Sequence, residues 1–229
     1  MIFSNTISDR LHEIRERIVA AAVRAGRDAD AVRLVAISKT FPVESVRQAC
    51  DAGQRQFGES RVREWLGKIP QLPGDCEWHF IGHLQANKAR QVVRAAAWIH
   101  SVNSLELIPR LDRIAGEEGR RPVILLELNM SGEAAKTGAE PVAARALAEA
   151  ALQCPHLDLR GFMTMAPWDA PETEVRRVFD GLRELRDRVS AELGAPLPEL
   201  SMGMSGDFET AIACGATLVR IGTALFGAR

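Results

Sequence analysis

Val123-Ile124-Leu125-Leu126-Glu127-Leu128 is the stretch whose reading decides the fold class. The run is apolar almost throughout and shows no polar–apolar alternation. It therefore suits a strand covered on both faces, the habit of parallel sheets. Working outward, similar short runs recur at residues 34–38, 56–58, 78–81, 98–102, 159–165, 199–202 and 218–221. Between most of them the apolar residues fall at three- and four-residue spacing, the helical period. The clearest such stretch covers residues 171–193. Pro171 suits a first turn, and Glu172 and Glu174 suit the positive end of a helix dipole. Val175, Phe179, Leu182, Leu185 and Val189 form one apolar stripe, and Gly194 and Pro196 end it. A further amphipathic helix opens the chain, with Ile7, Leu11, Ile14, Ile18 and Ala22 on one face and Gly26 as its stop. Eight strand candidates alternating with helices in 229 residues predict an α/β protein, a single (β/α)8 TIM barrel with an extra N-terminal helix. An open doubly wound sheet is the rival. No linker, repeat or low-complexity segment divides the chain, so residues 1–229 are expected to form one domain.

Composition removes several function classes. The formal charge is −1, from 29 basic and 30 acidic residues, which gives no electrostatic case for nucleic acid or an anionic membrane as partner. No stretch approaches the roughly 20 apolar residues of a membrane helix. Residues 1–10 lack the basic segment and apolar core of a secretory signal, and the four cysteines are widely spaced with no Cys-x-x-Cys pair. Both features fit a cytoplasmic protein with reduced thiols, without a zinc site or a disulfide framework. No heptad or large apolar stripe appears, so a monomer is expected. There is no tyrosine, and four lysines (Lys39, Lys68, Lys88 and Lys136) stand against 25 arginines.

In such barrels function gathers where strands end and βα loops begin. Lys39 follows the apolar run Leu34-Val35-Ala36-Ile37 at that place. A lysine desolvated at a barrel mouth can act as a neutral amine and form a Schiff base, work that arginine cannot do. The plainer alternative is a lysine that reaches for water. Lys136, in a polar loop after a strand, is the second choice. Lys68, before Ile69-Pro70, reads as a solvated helix end, and Lys88 as part of an early helical turn. The last two strand ends carry Ser201-Met202-Gly203-Met204-Ser205-Gly206-Asp207 and Arg220-Ile221-Gly222-Thr223. Loops after strands 7 and 8 of barrels often bind phosphate, through glycine backbone and hydroxyl donors, although tight turns and an ordinary cap explain the same residues. His79 and His83 are four apart, but across a strand and a glycine turn, which argues against a metal pair. His83 is expected at the mouth. His12, His100 and His156 read as structural or exposed. Glu59 reads as a partner for Arg61 or Arg63, with general base as the alternative, and Met163 and Met165 read as core.

Together the stretches Val35–Thr40, Phe57–Ser60, Trp78–Lys88, Ser201–Glu209 and Val219–Gly227 resemble the YggS/PROSC family of pyridoxal 5′-phosphate homeostasis proteins. The resemblance runs in order from about Leu34 to the C-terminus. It implies a barrel like the N-terminal domain of alanine racemase, with pyridoxal 5′-phosphate (PLP) as cofactor. It also implies that Lys39 holds PLP as a Schiff base. The phosphate is expected at Ser205 and Gly206 and at Gly222 and Thr223, and Arg220 is expected to face the pyridine nitrogen and keep it unprotonated, a weaker electron sink. His83 and Ser60 complete the expected cofactor-binding set. The family pattern is broken at Ser60, commonly asparagine, at Asn103, commonly aspartate, and at Phe41, often a second lysine. Without that lysine, Lys136 is the candidate for passing PLP on to apo-enzymes.

Three functions compete. A PLP carrier serving vitamin B6 homeostasis without significant catalysis is the expectation. An amino-acid racemase needs a base on each face of the α-carbon. In alanine racemase a tyrosine from a second domain supplies one, and here there is no tyrosine and the barrel is expected to use the whole chain. A barrel enzyme for a phosphorylated metabolite would explain the loops but not Lys39.

Overall fold

The computed structural model describes residues 6–133 and 137–227. Lys136, the second candidate for Schiff-base chemistry, lies outside them. Helix α1 (Ile7–Arg24) begins at Thr6, whose hydroxyl accepts from the Asp9 amide while the Asp9 carboxylate accepts from the Thr6 amide, a reciprocal cap. Its buried residues Ile7, Leu11, Ile14 and Ile18 follow the helical period.

The rest alternates strand and helix: β1 (Arg33–Ile37), α2 (Val43–Asp51), β2 (Gln56–Glu59), α3 (Val62–Lys68), β3 (Glu77–Phe80), α4 (Ala89–Ala95), β4 (Trp98–Val102), α5 (Leu107–Glu117), β5 (Val123–Glu127), α6 (Ala144–Leu152), β6 (Asp158–Met163), α7 (Glu172–Leu193), β7 (Glu199–Ser201), α8 (Phe208–Ala213), β8 (Leu218–Ile221) and α9 (Thr223–Phe226). Every strand pairs in parallel with the next, and β8 returns to β1, so the sheet closes in sequence order. The eight-stranded barrel expected from the pattern is observed, and the open sheet is excluded.

Strand alternation divides the core in two. Outward residues such as Leu34, Ala36, Phe57, Ile124, Leu126, Phe162, Val219 and Ile221 meet the apolar faces of the helices. Val35, Ile37, Trp98, Leu125, Met163 and Leu218 fill the barrel itself, with Met165 packed against them. Met163 is therefore core, as expected, whereas Met165, past the end of β6, is only partly buried against it. Gly161 on β6 is required by close packing. A side chain there would place its Cβ 1.9 Å from the Glu199 carbonyl oxygen, beside the register shift where β6 meets β5. None of the helices among the described residues is long and apolar enough to cross a membrane.

Candidate functional site

Lys39 lies two residues past Ile37, where β1 runs into a turn at the C-terminal mouth. It is half-buried, and both of its neighbours are tied down. The Ser38 hydroxyl donates to Glu59 Oε1 (2.8 Å), and its carbonyl accepts from Lys68 Nζ (2.8 Å). The Thr40 amide donates to Glu64 Oε1 (2.6 Å). Thr40 has φ 69°, the left-handed region that a β-branched residue avoids, so the turn is held against its own preference.

The clamp is a buried ion cluster. Lys68 Nζ also donates to Glu59 Oε1 (2.8 Å) and Glu64 Oε1 (2.6 Å), and the Glu59 side chain is fully buried. Burial pushes the Glu59 carboxyl above its usual range, although Lys68 and Ser38 oppose this. Glu59 Oε2 has no hydrogen-bond partner among the described residues. Two expectations are corrected here. Lys68 is not a solvated helix end, because α3 docks with its last turn against the barrel. Glu59 pairs with Lys68, not with Arg61 or Arg63. The signal was available in the i,i+4 spacing of Glu64 and Lys68.

The other two expected loops meet. Gly203, at φ 94°, lets the β7–α8 loop turn so closely that a Cβ would lie 2.6 Å from the Ala211 Cβ. Ser205 follows, and its hydroxyl accepts from the Ala224 amide (3.3 Å), joining the β7–α8 loop to the β8–α9 turn. Gly206 has open space where a side chain would be, Gly222 is partly buried against Ile37, and Thr223 is exposed. Phe41 is buried and its ring lies 5.0 Å from Phe226, so the residue that breaks the family pattern packs the β1–α2 loop onto the last helix.

Arg220 points into the barrel from β8 and is buried. Nη1 donates to Ser201 Oγ (2.6 Å) and Nη2 to the Thr164 carbonyl (2.9 Å). Burial lowers its pKa to about 10, opposed by Asp207 and Glu127, so it stays cationic at neutral pH. Among the described residues, two of its five N–H donors are used, which leaves donors for a ligand.

His83 is exposed and Ser60 half-buried, and both line a cleft of about 660 Å³ with Arg61, Arg63 and Lys88. His79 does not share that cleft. It is fully buried inside the barrel, where its Nδ1 meets His100 Nε2 at 2.9 Å. His100 is likewise buried and partnered, so it is structural as expected and not exposed. His12 is exposed beside Glu16, and the His156 ring packs against Gly116. No group of three or more metal-ligating side chains occurs among the described residues. Asn103 donates to Glu127 Oε2 (3.3 Å).

The residues present fit PLP. A half-buried lysine, a buried guanidinium with spare donors, and two loops offering backbone and hydroxyl donors match an aldehyde, a pyridine nitrogen and a phosphate respectively.

Residues 10–229 match the alanine racemase N-terminal domain family. The pyridoxal phosphate homeostasis protein of Aquifex aeolicus is 42% identical over 222 residues, 96% of this chain and 97% of the relative. That of Pseudomonas aeruginosa is 45% identical over 227 residues, 98% of this chain and 96% of the relative. The chain belongs to the family of pyridoxal phosphate homeostasis proteins. The structure of PipY from Synechococcus elongatus with PLP bound is 40% identical and superposes with a TM-score of 0.82, covering 93% of this chain and all of that one.

Proposed function

We propose that the protein binds PLP, holds it as a Schiff base on Lys39 and serves intracellular vitamin B6 homeostasis without significant catalysis. The observation that carries this reading is the Ser205–Ala224 contact, which joins the β7–α8 loop to the β8–α9 turn at the same barrel mouth as Lys39. The PLP found in PipY and the names of the two relatives support it.

When bound, PLP supplies an aldehyde for an amine and a pyridine ring whose electron-withdrawing power depends on protonation of its nitrogen. The rest is work for this chain's residues. Lys39 provides the amine, and the Ser38 and Thr40 anchors keep it from swinging into solvent. Ser205, Gly206, Gly222 and Thr223 hold the phosphate, and Ser60 and His83 are the remaining cofactor contacts of the proposal. Arg220, a cation that can only donate, keeps the ring nitrogen unprotonated. That choice favours holding the cofactor over carbanion chemistry. A racemase would need a second acid or base, and the chain has no tyrosine to provide one. The single-barrel unit, the cytoplasm as location, the monomeric state and delivery to apo-PLP enzymes belong to the same proposal.

Borohydride reduction of PLP-loaded protein, followed by peptide mapping, tests it. The expected product is phosphopyridoxyl-modified Lys39, with loss of the visible band in Lys39→Ala. A wild-type protein that shows no band after incubation with PLP overturns the reading. Sustained conversion of L-alanine to D-alanine overturns the non-catalytic part.

A further inference from the structure

The barrel interior carries an unbroken line of polar groups, of which the proposed function uses Arg220 alone. Glu77 and His79 on β3, His100 on β4, Ser201 on β7 and Arg220 on β8 all project inward. His79 Nε2 lies 3.2 Å from Glu77 Oε1, His79 Nδ1 lies 2.9 Å from His100 Nε2, and His100 Nδ1 lies 2.9 Å from Ser201 Oγ. Ser201 Oγ receives the Arg220 Nη1 hydrogen at 2.6 Å. The line thus crosses the barrel from the strand starts, where Glu77 is 39% exposed, to the guanidinium proposed to face the cofactor ring. The His79 ring also stacks on Trp98, at 5.3 Å between centroids and 9° between planes.

Donor arithmetic makes the line directional. Arg220 can only donate and an ionised Glu77 can only accept. The two histidines are completely buried, where a charged imidazole is penalised, so each ring has one N–H. Suppose His100 carried its proton on Nδ1 and donated to Ser201. Its Nε2 would then accept from His79 Nδ1, and the bare His79 Nε2 would face a carboxylate that has nothing to give. Only the opposite order satisfies every contact. Arg220 donates to Ser201, Ser201 to His100 Nδ1, His100 Nε2 to His79 Nδ1, and His79 Nε2 to Glu77.

We infer that Ser201, His100 and His79 are positioning residues for Arg220, forming a one-way hydrogen-bond chain, both imidazoles carrying their proton on Nε2, that runs from Arg220 to Glu77 and holds the guanidinium toward the cofactor site. Such a chain is costly to bury, and apolar side chains would fill the space more cheaply. Its use is orientation. Ser201 fixes one edge of the guanidinium while the Thr164 carbonyl fixes another, and the remaining donors stay directed away from both. The cofactor arm of the inference rests on the proposed function, but the proton assignment does not.

The test therefore has two arms. In the full-length protein without PLP, 15N-detected NMR of the imidazoles at pH 7 should show both His79 and His100 as Nε2–H tautomers, assigned by His79→Gln and His100→Gln. Either ring protonated on Nδ1, or on both nitrogens, overturns the inference. In PLP-loaded protein, Ser201→Ala should move the visible band and release PLP about three- to tenfold faster on dilution, the scale of one ordinary hydrogen bond. Ser201→Thr, which keeps the hydroxyl, should restore both, and circular dichroism confirms that each variant is folded. A folded Ser201→Ala protein with wild-type band and release overturns the positioning role. If the wild type takes up no PLP, the proposed function fails while the NMR arm still decides the chain.

Discussion

Replacing Lys68 by methionine tests how the turn that presents Lys39 is held. The change keeps most of the stem and removes the ammonium that bonds Ser38 O, Glu59 and Glu64. Glu59 is then left fully buried with only the Ser38 hydroxyl, and its second oxygen already lacks a partner among the described residues. Removing one member of a buried ion pair costs about 3–5 kcal/mol, because the other charge stays buried. Glu64 is 27% exposed and water can replace its partner, so Glu59 carries nearly all of the loss. For a chain of this size that corresponds to a fall of roughly 6–20 °C in Tm. The sign with pH follows from burial holding the Glu59 pKa above 4.5 in the folded state, an effect Lys68 now opposes. Between the unfolded and folded pKa values the native state holds the extra proton, so stability rises as pH falls. The deficit of Lys68→Met should therefore shrink as pH is lowered from 7 toward 4.5, by at most about 1.4 kcal/mol per pH unit. Urea unfolding at several pH values measures it. Adding Glu59→Gln should recover about half the loss or more, since the amide oxygen still accepts from Ser38 and no bare charge remains. A Lys68→Met protein that loses less than about 1 kcal/mol at pH 7, or whose deficit grows on acidification, refutes the buried-pair account.

Three other substitutions or probes reach different parts of the molecule. Thr40→Gly relieves a β-branched residue at φ 69° and should raise stability by up to about 1 kcal/mol; a clear loss in Tm would show that the Thr40 hydroxyl, 2.5 Å from the Lys39 carbonyl, outweighs the strain. Gly161→Ala drives a methyl into the β7 backbone and should cost about 3 kcal/mol or more, or yield no soluble protein, whereas near-normal urea unfolding would mean that β6 and β7 can separate freely. Burial pushes the Cys50 thiol up to about 12, so in the folded protein at pH 8 Cys50 should resist Ellman's reagent while unfolding in guanidinium exposes it; rapid labelling of Cys50 in the native state, mapped by mass spectrometry, would contradict this.

Local order was legible in the residues themselves. The apolar runs and three-to-four spacing predicted every strand of the barrel and the two longest helices, because the periods of strand and helix are properties of neighbours in sequence. Position after a strand singled out Lys39, and the two glycine- and hydroxyl-bearing loops drew notice for the same reason. The resemblance to a known family added the chemistry expected of them. Hidden from a linear reading were the partnerships. Lys68 looked solvated beside Ile69-Pro70, yet the docking of α3 carries it inward to Glu59. His100 had no visible partner, because His79 lies 21 residues away and Ser201 lies 101 away. Glu77 and His79, like Trp98 and His100, share a strand face by simple alternation, so their inward direction could have been read. That these faces point at one another could not. Closure of the sheet, with β8 beside β1, sets those distances, and only closure takes the groups out of water and turns a scatter of polar residues into a chain with a direction.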